Sequence, residues 1–241
     1  MRVLDLGCGS GRDLDSWAVN SSDVTVGLDI EGSRLALAKM RFPNRIYVQG
    51  DGEFLPFANE SFDRVISAVA LPYMNIQKAL AEIHRILVPG GGLSLSLHLP
   101  SFTIAELLHN AVPRPVPTVF RIYVLANGLL FHCSGKTVGL VKGRTESFQT
   151  PRGMRIALKC AGFVSAAFTR AKGIAGERFL VEARKPVIGS SERASQVHRA
   201  GRRNPILFAR RYHAKSDRNE RPRTQSFSLV AVPATYASKC T

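Results

Sequence analysis

Val3-Leu4-Asp5-Leu6-Gly7-Cys8-Gly9-Ser10-Gly11 carries an apolar strand straight into a turn that holds three glycines. A glycine removes the Cβ where backbone must bend sharply or lie close to a ligand. The spacing is G-x-G-x-G. The dinucleotide fingerprint G-x-G-x-x-G would need its third glycine at Arg12. The loop therefore reads as a nucleotide-type binder that differs from an ordinary NAD site.

The residues that follow repeat a strand-helix alternation. Val24 to Leu28 forms a second strand, and Asp29 at its end stands 18 positions after Gly11. An acidic residue there can accept hydrogen bonds from both hydroxyls of a ribose. Arg45 to Gln49 is a third strand running into Gly50-Asp51-Gly52-Glu53-Phe54-Leu55-Pro56-Phe57. A carboxylate in that segment can accept an adenine amine, with apolar residues beside the ring. Ser61 to Ser67 is a fourth strand. Ile76 to Leu87 is a helix with Ile76, Ala79, Leu80, Ile83 and Leu87 as its buried stripe, and Leu93 to Leu97 is a fifth strand. Ser33 is a candidate N-cap for a helix over 34–40. Such alternation predicts a parallel sheet with helices on both faces.

These blocks, VLDLGCGSG, GLDIEGSRLALAK, GDGEFLPF, ESFDRVIS and ALAEIHRILVPGG, resemble class I S-adenosylmethionine-dependent methyltransferases. Within that family they are most similar to the small-molecule group that includes quinone-biosynthesis enzymes. The resemblance covers about residues 2 to 97 and continues more weakly from Ser147 to Pro186. It implies an α/β, doubly wound, mostly parallel Rossmann-like sheet with a final antiparallel hairpin, here Phe163 to Thr169 and Arg178 to Ala183. It implies S-adenosylmethionine as cofactor and a small-molecule acceptor. Gly7, Gly9 and Gly11 are implied to contact the methionine and ribose portions, Asp5 the donor's ammonium end, directly or through water, and Asp29 the ribose. Asp51, Gly52 and Glu53 are implied to lie by the adenine, and Ser67 where donor and acceptor meet. Plainer roles stand beside these: a cap on loop amides for Asp5, a helix N-cap for Asp29, a solvated turn for Asp51 and a space-making residue for Ser67.

Methyl transfer needs mainly alignment of the acceptor opposite sulfur, and a general base only where the acceptor carries a proton. His98, after the fifth strand, is the candidate base, and Tyr73 a candidate hydrogen-bonding partner. His84, beside an apolar stripe, reads as structural. His132 falls in an insert that can face the pocket. Each is equally readable as a surface or packed side chain.

The domain is expected to occupy 1–186, with an insert at about 101–148 forming a helical cap over the acceptor side or packing on the sheet edge. Within it, 102–112 and 118–131 are expected helices, separated where Pro113, Pro115 and Pro117 break the chain. A further helix opens at Thr150-Pro151-Arg152 and ends near Gly162. The family carries helices before its first strand. Here that strand begins at Arg2, so those helices are expected to be missing through a misassigned start, through truncation, or with the insert taking over their work.

The 241 residues carry a net charge of +15. Residues 187–241 hold 11 Lys/Arg and 3 Asp/Glu and show little apolar periodicity, which predicts a disordered basic tail. A frame-shifted or read-through end is the favoured reading, because aromatic residues are not interleaved as nucleic-acid stacking requires. A basic arm touching RNA or acidic lipid is the alternative. Cys8, Cys133, Cys160 and Cys240 lack metal-ligand spacing, so no metal site is expected, and a cytoplasmic setting follows from the absence of a disulfide framework. Three rivals accompany the small-molecule reading: an RNA methyltransferase, weakened by Ala70-Leu71-Pro72-Tyr73 in place of an N/D-P-P-Y-type motif; a truncated, non-catalytic domain; and an NAD-dependent dehydrogenase.

Overall fold

The computed structural model describes residues 1–12, 17, 19–99, 101, 115–139, 146–173 and 176–187. The expected helix over 102–112 and all of the basic tail beyond Val187 lie outside the described residues.

Seven strands form one sheet: β1 (Arg2–Leu6), β2 (Val24–Asp29), β3 (Ile46–Gln49), β4 (Phe62–Ala68), β5 (Leu87–His98), β6 (Val164–Gly173) and β7 (Gly176–Arg184). Their order is β3-β2-β1-β4-β5-β7-β6. The first five pair in parallel, and β7 runs antiparallel to both β5 and β6. The strand order reverses between β1 and β4. In open parallel sheets such a reversal opens a crevice at the C-terminal strand ends, where ligands bind.

Four helices are described: α1 (Gly32–Arg41), α2 (Ile76–Ile86), α3 (Pro115–Ser134) and α4 (Pro151–Cys160). Alternation along β1 divides the core. Leu4 and Leu6 join Ile76, Leu80 and Ile83 of α2 in the larger apolar cluster. Val3 turns to the other face and packs with Ile66, Trp17 and Val19. Asn75 caps α2 by accepting from Lys78 N, and Thr150 caps α4 by accepting from Gly153 N at 3.1 Å.

Several boundaries differ from the sequence reading. Helix α1 starts at Gly32, so Ser33 is its second residue and the N-cap is Glu31. Helix α2 ends at Ile86, and β5 begins at once with Leu87. Pro89 disfavours helical backbone at Val88, and Gly90 takes φ +80°. Helix α3 contains Pro115 and Pro117 instead of being broken by them. Both fall in its first turn, where the missing N–H would have had no intrahelical acceptor. Gly135, at φ +69°, donates to Phe131 O at 2.8 Å just past its end.

The imidazole of His84 packs edge-on against Phe163, with ring centroids 5.2 Å apart. Burial, and then the Lys185 charge, push its pKa below the ordinary value of 6.5. The unfolded chain takes up this proton more readily than the folded one. The stabilisation is therefore present above pH 6.5 and lost as pH falls below it. The urea midpoint is expected to fall between pH 7.5 and 5.5, and to fall less in His84→Leu. An equal drop in both proteins would remove His84 as its source.

Candidate active site

The glycine turn hangs from β2. The amides of Gly7 and Cys8 both donate to Leu28 O, at 2.7 and 3.0 Å, and Gly11 N donates to Cys8 O at 2.8 Å. Asp29, at the C-terminal end of β2, is only 8% exposed. Its Oδ2 accepts from Gly9 N at 2.8 Å and its Oδ1 from Glu31 N at 2.9 Å. Each oxygen keeps acceptor capacity after these bonds, because an ionised carboxylate has about four acceptor positions.

The three glycines do different work. A Cβ on Gly9, at φ +51°, would meet nothing within 4 Å, so this glycine faces open space. A Cβ on Gly7, at φ +72°, would collide with the Ala70 side chain. One on Gly11 would stand 3.1 Å from the Phe42 ring and 3.3 Å from the Tyr47 hydroxyl. Gly7 and Gly11 thus serve close packing, and Gly9 alone opens outward. Gly52 behaves like Gly7: a Cβ there would lie 2.6 Å from Met74 Sδ.

Asp5 is buried in β1 beneath this loop. Burial, and then the charges of Asp5 and Asp29, push the Cys8 thiol up to about 12. Cys8 therefore stays a thiol near neutral pH and offers no nucleophile. The two carboxylates leave the turn with a negative potential suited to a cationic ligand.

Other predicted residues are tied into the scaffold. Ser67 Oγ donates to Leu6 O at 2.8 Å and bridges β4 to β1 at the strand-order reversal. Glu53 Oε1 accepts from Asn75 N at 2.8 Å, and Lys78 Nζ lies 3.4 Å from its Oε2. Its carboxylate anchors the loop to the start of α2. Asp51 Oδ1 accepts from Glu53 N at 2.9 Å in a local turn, and the residue is exposed. Tyr73 closes the 3-10 turn Leu71–Tyr73 after β4 and is 61% exposed. His98 ends β5, opposite Arg178 of β7, and is half-buried. His132 Nδ1 is 3.0 Å from Thr150 Oγ1, linking α3 to the start of α4.

The sequence reading missed the frame around these residues. Glu82 and Arg85 on α2 grip the loop after β3: Glu82 Oε2 accepts from Leu55 N, and Arg85 donates to Leu55 O and Phe57 O. Their i, i+3 spacing outside the apolar stripe was the available signal. Val69, at φ +59°, is a β-branched residue in the left-handed region directly after β4, and its N donates to Ser96 O at 2.8 Å. Such backbone persists where surrounding bonds over-determine it. Gly27 has no Cβ because Cys8 Sγ and the Tyr47 ring would stand 2.8 and 2.9 Å from one.

The chain from Leu4 to Leu95 matches the methyltransferase domain family. Residues 4–95 are thus similar to methyltransferase domains. A methyltransferase of uncharacterised activity from Synechocystis sp. is 41% identical over 104 residues, which are 42% of this chain and 49% of that protein. A demethylmenaquinone methyltransferase from Renibacterium salmoninarum is 36% identical over 125 residues, 52% of this chain and 48% of that protein. The chain thus spans about half the length of these relatives. The solved structure of an S-adenosylmethionine-dependent methyltransferase from Methanosarcina mazei shares the fold, with a TM-score of 0.53 at 19% identity, covering 78% of this chain and 93% of the other. S-adenosylmethionine is the cofactor that the resemblance of the sequence blocks implies. The open face of Gly9 and the spare acceptor capacity of buried Asp29 fit its ribose, and the paired carboxylates fit its positive charges.

Proposed function

We propose that this chain transfers a methyl group from S-adenosylmethionine to a small-molecule acceptor. The observation that carries the reading is Asp29: a buried carboxylate, fixed by two backbone amides beside the open face of Gly9, at the sheet's crevice. The cofactor supplies a methyl carbon made electrophilic by its sulfonium. Asp29 accepts the ribose hydroxyls. Asp5 holds negative charge beneath the glycine turn for the ammonium end. Asp51 accepts a hydrogen bond from the adenine amine, while Glu53 and Ser67 hold the walls. His98, at the end of β5, takes the proton of an acceptor that carries one. In-line alignment of acceptor and donor contributes up to roughly 7–11 kcal/mol of barrier lowering. The likeness to a relative named for demethylmenaquinone supports a small acceptor.

Calorimetric titration with S-adenosylhomocysteine tests the donor site. Two charge-assisted hydrogen bonds at about 1.5–3 kcal/mol each predict a loss of at least roughly 100-fold in Asp29→Ala. An unchanged affinity, or no binding by a folded parent, overturns the assignment. For the acceptor, lysate is incubated with methyl-labelled donor. Label is expected in the small organic-extractable fraction, and label confined to RNA rejects the small-molecule reading.

A further inference from the structure

Helix α3 wears its polarity inside out. Its amide residue, Asn127, is buried: Nδ2 donates to Glu146 O at 3.0 Å and Oδ1 accepts from Val138 N at 2.8 Å. Val124, Gly128 and Phe131 share that inner face, which packs on α4 and the residues before it. Gly128 closes on the Phe148 ring and Phe131 on Gly153. The opposite face carries Ile122, Leu125, Ala126, Leu129, Leu130 and Cys133, all exposed, with Ile122 and Leu129 each at 62%. At 100° per residue these six positions fill an arc of roughly 140° centred opposite the buried one. A continuous apolar stripe on a single helix is unlike the scattered exposed aliphatics of an ordinary surface.

We infer that this stripe lies on an anionic lipid surface. Three observations select that occupant. No helix among the described residues is long and apolar enough to cross a membrane, so α3 lies along the surface rather than spanning it. No acidic residue occurs in α3, and the flanking sequence from His98 to Glu146 has five Lys/Arg against two acidic residues, Glu106 and Glu146. That charge complements anionic headgroups and adds to apolar insertion. The net charge of +15 opposes apposition of a second copy of the same chain, whereas it favours a negative surface. The inference is independent of methyl transfer, because it needs neither donor nor acceptor.

The test is flotation of the purified full chain with vesicles. One set is phosphatidylcholine alone, and the other contains about one quarter phosphatidylglycerol. The parent is expected to float with the anionic vesicles. The variant Ile122→Gln/Leu129→Gln changes two exposed side chains and keeps every basic residue. Each large aliphatic side chain withdrawn from lipid weakens partition roughly tenfold, so a loss near 100-fold is expected, with thermal unfolding unchanged. Full binding by the double variant would show that charge alone, on whatever segment, does the work, and it overturns the inference. So does a parent that stays with the aqueous phase, and so does a parent dimer in gel filtration that the double variant converts to monomer.

Discussion

Gly7→Ala is expected to lower the melting temperature by roughly 10 °C, while Gly9→Ala is expected to fold nearly as well as the parent and fail to bind S-adenosylhomocysteine. The two glycines sit two residues apart and both take positive φ, +72° and +51°. An L side chain in that region costs about 1–2 kcal/mol at either position. The difference lies in what the new methyl meets. At Gly7 it lands on Ala70, in the turn that follows strained Val69, so either the glycine turn or the Ala70 segment must shift. Overpacking of that kind adds about 1–3 kcal/mol. The combined loss of roughly 3 kcal/mol is a large share of a typical total of 5–15, and it lowers the melting point by about 2–4 °C per kcal/mol in a chain of this size. At Gly9 the methyl meets no atom within 4 Å, so only the backbone cost remains. It would, however, fill the face beside Asp29, whose Oδ2 is 2.8 Å from Gly9 N. Melting curves and calorimetric titrations on both variants read the two effects separately. A Gly9→Ala protein that binds as tightly as the parent would falsify the placement of the donor against this face.

The contrast between these glycines also marks how far sequence carries. Positive φ is a local property, so a turn at residues 7–11 and a strand before it are legible from the residues alone. What a Cβ would strike is tertiary: Ala70 and Met74 lie more than sixty residues from Gly7, and nothing in the G-x-G-x-G spacing names them. Asp29 was legible for the complementary reason, since a strand's end fixes where its last side chain stands. Ser67 and Glu53 were not, because the atoms that engage them, Leu6 O and Asn75 N, are 61 and 22 positions away. The parallel sheet followed from strand-helix alternation, and the closing pair β6 and β7 from family likeness; the order of the strands is known only from the structure. Pro115 and Pro117 misled because a proline's effect depends on which turn of the helix it enters. Helix α3 hid its orientation because it is apolar on both sides. Only the burial of Asn127, fixed by Glu146 and Val138, decides which face turns inward.

Arg85→Met is the second large effect expected, and it couples the fold to the donor pocket. The guanidinium is a hub: Nε donates to Glu82 Oε1 at 2.9 Å, Nη1 to Phe57 O at 2.8 Å and Asn59 Oδ1 at 2.9 Å, and Nη2 to Leu55 O at 3.0 Å and Glu82 Oε2 at 2.8 Å. Glu82 completes the grip by accepting Leu55 N at 2.9 Å. The segment they hold follows Asp51 and Gly52, so the adenine side of the proposed site is positioned from α2. Glu82 raises the arginine pKa, and the charge persists at every working pH. Methionine keeps much of the length of the stem and removes all five bonds. Two backbone carbonyls, the Asn59 amide oxygen and one carboxylate are then left to water, which reaches them because the arginine and glutamate side chains are 30% and 24% exposed. That access limits the cost to roughly 2–3 kcal/mol, less than a fully buried pair would lose. Binding of S-adenosylhomocysteine is expected to weaken about tenfold, the equivalent of 1.4 kcal/mol. Arg85→Lys retains charge without the planar fork, so it should recover part of the stability and little of the affinity. The double variant Glu82→Gln/Arg85→Met should cost less than the sum of its parts, because the stranded carboxylate is removed with its partner. If stability falls while affinity holds, the segment from Asp51 to Phe57 is a strut of the fold and not a wall of the donor site.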